Sequence, residues 1–329
     1  MSLLVRGKLQ PDWLNSEIQG QEFVRQESQF RSWVTSDGAP GPSGEGGFAA
    51  QPGRYHLYVS HACPWAHRTL IYRTLKCLDA IIGVSVVHPL MGEAGGEFAD
   101  YPGATPDHAN GFRYLHQVYT LAQPEYSGIV TVPVLWDAER RTIVNNESSE
   151  IIRMLNSAFD AYVDPGVDFY PEPLRAEIDA INSLVYEGVN DGVYRAGFAR
   201  SQGAYEQAFD RIFQALDLLE DRLSARRYLV GDQITEADWR LFTTLVRFDS
   251  VYYAHFKCNA RRLVDYPNLW AYTRDLYQVP GIPETVRMDH IKHHYYASHR
   301  ELNPSGIVPK GPWLDFAASH GRGVLGGRR

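Results

Sequence analysis

The stretch HLYVSHACPWAHRTLIYRTL, residues 56–75, constrains the fold more than any other part of this chain. His56 to Ser60 is short, apolar and β-prone, and from Pro64 onward the apolar spacing turns helical. Proline suits the first helical position, where its missing N–H has no intrahelical acceptor to lose. The order strand, cysteine, proline, helix puts the Cys63 sulfur beside unpaired backbone N–H groups and the positive end of a helix dipole. Such a place lowers a thiol pKa and makes thiolate available near neutral pH. His67 and Arg68, within the first two turns, add positive potential. A buried, inert thiol is the ordinary fate of a free cysteine. The order of elements favours a reactive one, and Cys63 is the candidate nucleophile.

Redox logic narrows the chemistry. A dithiol oxidoreductase carries C-x-x-C, its second sulfur resolving the mixed disulfide. Here that position is Ala66; Cys77 is expected to pack in the core from further along the same helix, and Cys258 lies in another region. A monothiol site needs an external thiol to complete turnover, and glutathione is the obvious candidate.

The 329 residues suffice for two domains with proper cores. A net charge of −7 argues against nucleic acid as a partner. Three cysteines, an odd number, do not make a secreted disulfide framework. No apolar run is long enough for a signal peptide or a membrane span, so the expected location is the cytoplasm, with no membrane partner.

Along the chain, residues 1–53 read as a polar, irregular N-terminal extension, with a Gly/Pro loop at 37–48. Residues 54–156 read as strand, helix, strand, long loop, strand, strand, helix. The second strand is expected in 81–90, a turn-rich loop over the site at 92–112, and a hairpin from IVTVPVLWD (129–137) and RTIVNN (141–146). A β-α-β half followed by a β-β-α half is the thioredoxin-like arrangement. A Pro- and Gly-rich linker is expected at 157–173, then an all-helical domain at 174–297 and a C-terminal extension at 298–329. Within the helical part, QAFDRIFQALDLLEDRL is amphipathic, and Thr235 with Asp238 has the spacing of a capping box.

An α/β thioredoxin-like N-terminal domain with a cysteine at its first helix, followed by an all-α domain, resembles the glutathione transferase superfamily. The segments YVSHACPWAHRTL, TVPVLWD, NNESSEIIRM, GVYRAGFA, TLVRFDSVYYAHFKC and DHIKHHYYASH resemble more specifically the Xi-class transferases, the glutathionyl-hydroquinone reductases, over nearly the whole chain. The resemblance implies glutathione as co-substrate, glutathionylated hydroquinones as substrates, no metal, and a homodimer. It makes Pro133 a cis proline that exposes the backbone of Val132 to the glutathione cysteinyl group; on the residues alone, an edge-strand proline is equally consistent. Glu147 and Ser148, at a helix start, suit both capping and holding the γ-glutamyl end of glutathione. Tyr194, Tyr252 and Tyr295 match the family's substrate-side tyrosines, beside the neighbours Tyr253 and Tyr296.

The implied reaction begins with attack of the Cys63 thiolate on the glutathionyl sulfur, giving a Cys63–glutathione mixed disulfide. An aryl carbanion leaves badly, whereas the ketone tautomer of the hydroquinone releases an enolate. Tyrosine hydroxyls stabilise that charge and move protons, with Tyr194 the first choice for acid/base. A second glutathione then attacks the mixed disulfide and releases oxidised glutathione.

One departure stands out. Where the family carries tryptophan in a pattern E-x-G-W, this chain reads PLMGEAGGEF and has Gly96, with Tyr101 further on as a possible substitute. His61, close to Cys63, replaces a usual apolar residue. Two other functions compete: an Omega-like thioltransferase or dehydroascorbate reductase, which needs the cysteine but no tyrosines, and a non-catalytic glutathione-transferase-like binding protein. His290, His293, His294 and His299 with Asp289 are too loosely spaced for a convincing metal site.

Overall fold

The computed structural model describes residues 2–10, 13–164 and 166–326. The chain divides into two compact units. The first comprises Met1–Glu17, Arg25–Val167 and Thr285–His294, and the second Ile18–Val24, Asp168–Glu284 and Tyr295–Arg329. The sequence suggested consecutive segments. Instead residues 18–24 fall with the helical unit and residues 285–294 with the sheet-bearing one.

Of the N-terminal residues, 24–53 carry no named helix or strand, but 2–10 and 13–23 are not irregular. They form β1 (Ser2–Val5), β2 (Lys8–Gln10), the short α1 (Trp13–Ser16), β3 (Ile18–Gln19) and β4 (Glu22–Phe23). The rest of the first unit is β5 (Tyr55–Val59), α2 (Pro64–Leu75), β6 (Gly83–Val86), α3 (Leu115–Ala122), β7 (Gly128–Val130), β8 (Val134–Asp137), β9 (Thr142–Asn145) and α4 (Ser148–Ser157). Its main sheet has the order β6-β5-β8-β9. β5 runs parallel to β6 and antiparallel to β8, and β8 is antiparallel to β9. This is the thioredoxin-like arrangement. All five residues of β5 are buried, as expected for an interior strand covered on both faces.

Two local expectations change. The apolar run 129–137 is not one strand: β7 pairs outward with β1, Leu3 opposite Ile129, while β8 enters the main sheet only after Pro133. Proline has no N–H for the ladder, so the break falls at the residue where an interior strand would lose a bond. Helix α3 is not marked in the sequence pattern; its Leu115, Val118 and Tyr119 join Leu4, Tyr58, Val130 and Trp136 in one apolar cluster.

The loop 92–112 is pinned by Asp107. Its carboxylate accepts from the backbone N–H groups of Ala109, Asn110 and Phe112 and from the Tyr58 hydroxyl at 2.9–3.1 Å. Cys77 is exposed rather than in the core, because α2 ends at Leu75 and Cys77 takes a left-handed φ of 54° beyond it; Leu78 is the buried residue there.

The second unit is helical: α5 (Arg175–Val185), α6 (Gly192–Gly197), α7 (Gln202–Ala225), α8 (Glu236–Arg247), α9 (Tyr253–His255), α10 (Pro267–Tyr277) and the end of α11 (Met288–Ser298). The Thr235–Asp238 capping box forms. Asp238 accepts from the Thr235 backbone at 2.8 Å and also from the Tyr272 hydroxyl at 2.7 Å. Two π-helical turns, Tyr186–Asn190 and Phe248–Tyr252, interrupt the regular helices. Such bulges are frequent at functional sites. Buried Asn190, closing the first, donates to the Arg240 carbonyl (3.0 Å) and to Thr244 Oγ1 (2.7 Å), tying that turn to α8.

Candidate active site

In the first unit Cys63 is the N-cap of α2, with extended backbone, Pro64 at the first helical position and no side-chain cap. The half-buried thiol donates to the Val132 carbonyl over 3.5 Å. The Val132–Pro133 peptide is cis and leads directly into the interior strand β8, so Pro133 is not an edge-strand proline.

Glu147 is the N-cap of α4. One carboxylate oxygen accepts from the Ser149 N–H (3.0 Å) and hydroxyl (2.9 Å), and the other from the Ser28 hydroxyl (3.3 Å). A carboxylate presents about four acceptor directions, so capping leaves an ammonium partner compatible with this geometry. Ser148, first residue of α4, accepts from Arg68 at 3.3 Å. Arg68 is more than a source of positive potential: it is buried on α2, with its guanidinium 4.6 Å from the Trp65 ring centroid. It links the helix that carries Cys63 to the start of α4. A long cation on an otherwise buried helix face was its visible signal.

The departures from the family pattern also take shape. A Cβ on Gly96 would stand 3.1 Å from Val87 Cγ1 and 3.5 Å from Leu115 Cβ, inside the packing of the first unit. Tyr101 is engaged with histidines, its ring centroid 4.9 Å from His88, 5.1 Å from His290 and 5.4 Å from His293. His61 packs edge-on against His290 at 5.1 Å. His290 is fully buried and donates from Nε2 to the Pro102 carbonyl over 2.8 Å; burial lowers its pKa below the usual histidine value. His294 donates to the Pro89 carbonyl at 2.9 Å, and Asp289 pairs with Arg287. Among the described residues no group of three or more His, Cys, Asp or Glu is placed to hold a metal.

In the second unit the three candidate tyrosines meet. Tyr295 OH lies 2.5 Å from Tyr194 OH and 3.0 Å from Tyr252 OH. Tyr252 and Tyr295 are almost fully buried and Tyr194 is 8% exposed. The neighbouring tyrosines are sorted out: Tyr296 donates instead to the Ser250 carbonyl at 3.2 Å, and Tyr253 is outside the buried set. Three hydroxyls carry three protons and share two mutual hydrogen bonds, so one proton is directed out of the trio.

Around them pack Phe256, Phe198 and, from the N-terminal β4, Phe23, whose ring stacks on Tyr194 with centroids 6.4 Å apart. No local signal marks Phe23, since its partners lie far along the chain. His255 Nε2 and His299 Nδ1 are 3.2 Å apart behind Tyr295, and burial pulls the His255 pKa down to about 4.

The glutathione S-transferase N-terminal domain profile matches residues 62–158 and the C-terminal domain profile matches residues 202–275. The glutathionyl-hydroquinone reductase YqjG of Escherichia coli K12 is 55% identical over 98% of this chain and 99% of its own. The glutathione-bound structure of that protein superposes with a TM-score of 0.88 at 57% identity, covering 90% of this chain and 96% of the other. A Xi-class transferase from Natrialba magadii gives a TM-score of 0.91 at 48% identity, over 100% of this chain and 98% of the other. The chain belongs to the glutathione transferase superfamily. Its full-length similarity within that superfamily is to the Xi class and to glutathionyl-hydroquinone reductases.

Proposed function

We propose that this protein is a glutathionyl-hydroquinone reductase, using glutathione to convert glutathionyl-hydroquinones to hydroquinones with release of oxidised glutathione. The observation that carries the reading is the hydrogen-bonded trio Tyr194–Tyr295–Tyr252, a proton-handling device that a simple thioltransferase does not need. The full-length similarity to a reductase of that name supports it.

Glutathione binds through its cysteinyl backbone to Val132, beside Pro133, and through its γ-glutamyl end to Glu147 and Ser148. The Cys63 thiolate attacks the glutathionyl sulfur of the ketone tautomer. The S–S bond forms as the C–S bond breaks, and the electron pair leaves with the ring as an enolate. A tyrosine proton, with Tyr194 as donor, completes the hydroquinone. A second glutathione gives its thiol proton to the trio, attacks the mixed disulfide as thiolate and releases oxidised glutathione and the Cys63 thiolate. Over the cycle the two electrons that reduce the ring carbon come from the two glutathione sulfurs, which leave as the disulfide, and Cys63 is regenerated. A cytoplasmic homodimer completes the reading. No helix among the described residues is long and apolar enough to cross a membrane.

The test is turnover of glutathionyl-menadiol with glutathione. Wild-type protein should release menadiol, and Cys63→Ala should release none and take up no glutathione by intact mass. Turnover of dehydroascorbate but not of glutathionyl-menadiol would replace this reading with an Omega-like one.

A further inference from the structure

The hydroxyl trio has a charge problem. Tyr295, its centre, is fully buried; desolvation holds its pKa well above the usual tyrosine value, and Tyr194 and Tyr252 push it the same way. A phenol in a dry site gives up its proton reluctantly, because the phenolate left behind has no water to stabilise it. The second unit carries a cation that bears on this.

Arg247, the last residue of α8, is 0% exposed, and its charge acts on Tyr295 against the effect of burial. A guanidinium is rarely buried so fully, given what removing it from water costs. One of its nitrogens donates to the Thr243 carbonyl, one turn earlier, at 2.6 Å, which fixes the head group. The backbone then enters the π-helical turn Phe248–Tyr252 and delivers Tyr252, whose hydroxyl is 3.0 Å from that of Tyr295. Cation and tyrosine are thus set by one short segment. Arginine also keeps its proton at any pH that a protein tolerates, which makes it a constant source of field.

We infer that Arg247 is a positioning residue for this reaction: its buried charge makes negative charge on the Tyr194–Tyr295–Tyr252 chain tolerable while a proton passes to the substrate oxygen. The inference rests on the acid–base reading of the trio. In that step the enolate takes the proton directed out of the trio, and the remaining protons redistribute along the two hydrogen bonds. The negative charge stays on the trio until the incoming glutathione thiol returns a proton. Of the two histidines beside Tyr295, burial disfavours the charged form of His255. His255, its ring 6.3 Å away, is neutral at working pH, and His299, 5.4 Å away, shares a hydrogen bond with it.

The test compares full-length wild type, Arg247→Lys and Arg247→Gln. Steady-state rates with glutathionyl-menadiol and glutathione are followed across pH, with melting curves as the folding control. Arg247→Gln should lose about tenfold in kcat and move the alkaline limb of the profile up by about one pH unit, with KM for glutathione unchanged. Arg247→Lys should restore most of kcat and the wild-type limb. Alkaline titration of tyrosinate absorbance, differenced against Tyr295→Phe, should shift the same way in the glutamine variant.

Equal losses in both variants with an unmoved limb, or a change confined to KM, would leave Arg247 a merely structural residue and overturn the inference. Should Arg247→Gln not fold, a displaced limb or titration in Arg247→Lys overturns it as well. If wild type does not turn over glutathionyl-menadiol, it is the functional reading that fails, and the tyrosinate titration still decides whether Arg247 governs the trio.

Discussion

Tyr295→Phe is the most informative single change, because it removes the oxygen that both other hydroxyls contact. The Tyr194 and Tyr252 hydroxyls lose partners at 2.5 and 3.0 Å in an environment with almost no solvent. Losing a buried hydrogen bond costs about 1–3 kcal/mol, and Tyr295→Phe removes two, so it should destabilise the protein by about 2–4 kcal/mol. Tyr194→Phe breaks only one of the two bonds and leaves Tyr295 with Tyr252, so it should cost about half as much. Urea unfolding of both singles and the double gives a cycle whose coupling should be about 1 kcal/mol or more, since the residues are in direct contact. The kinetic cycle should be still less additive: each single should lower kcat by about 10²–10³, and the double should be little worse than Tyr295→Phe. Additive effects in both cycles would show that the hydroxyls do not work as one chain, and the relay would be refuted.

Two further outcomes follow from groups outside the trio. Arg68→Lys keeps the charge but loses the planar fork that spans the Trp65 face and Ser148. KM for glutathione should rise by about tenfold with kcat nearly unchanged, as read from initial rates over a glutathione series. Acid should weaken the fold through His56 and His255, both held near pKa 4 by burial against an ordinary 6.5. Their stabilisation is whole above the unfolded value and is lost as pH falls from about 6.5 toward 4, by at most about 1.4 kcal/mol per pH unit for each. Urea midpoints measured across that window check the slope, and His56→Asn should flatten it.

What the sequence made legible is what short-range chemistry controls. Cys63–Pro64 marks a helix start because proline and an N-cap are local devices, and the structure has both. The Thr235–Asp238 box and the Glu147 cap are legible for the same reason: donor and acceptor lie two or three residues apart. Long-range pairing left no such mark. The segment Ser2–Val5 pairs with the nearby β2 on one side, but its other partner, Ile129 and Val130, lies far along the chain. The helical period, carried past its end, puts Cys77 in the core, whereas α2 ends two residues before it. The choice of Tyr252 over Tyr253 came from resemblance alone. The physical reason is the π-helical turn Phe248–Tyr252, whose extra residue resets which side chain faces inward, a shift that a 3.6-residue count does not anticipate.

Gly96 shows the same limit from the other side. Read as a lost aromatic wall, it suggests weak glutathione binding. Its surroundings suggest a more specific consequence. Val87 and Leu115 belong to the apolar cluster of the first unit, and a Cβ at Gly96 would meet the nearer of them at 3.1 Å, tighter than ordinary contact. The Gly96 carbonyl also accepts the Leu115 N–H at 2.9 Å, so the backbone there is held to the start of α3. A tryptophan could be accommodated only if Val87 yields by a few tenths of an ångström. The loop has therefore been built around the smaller residue, while the Tyr101 ring is packed against His88, His290 and His293. The absent ring is thus a property of how this loop packs, and not a vacancy that the nearest tyrosine fills.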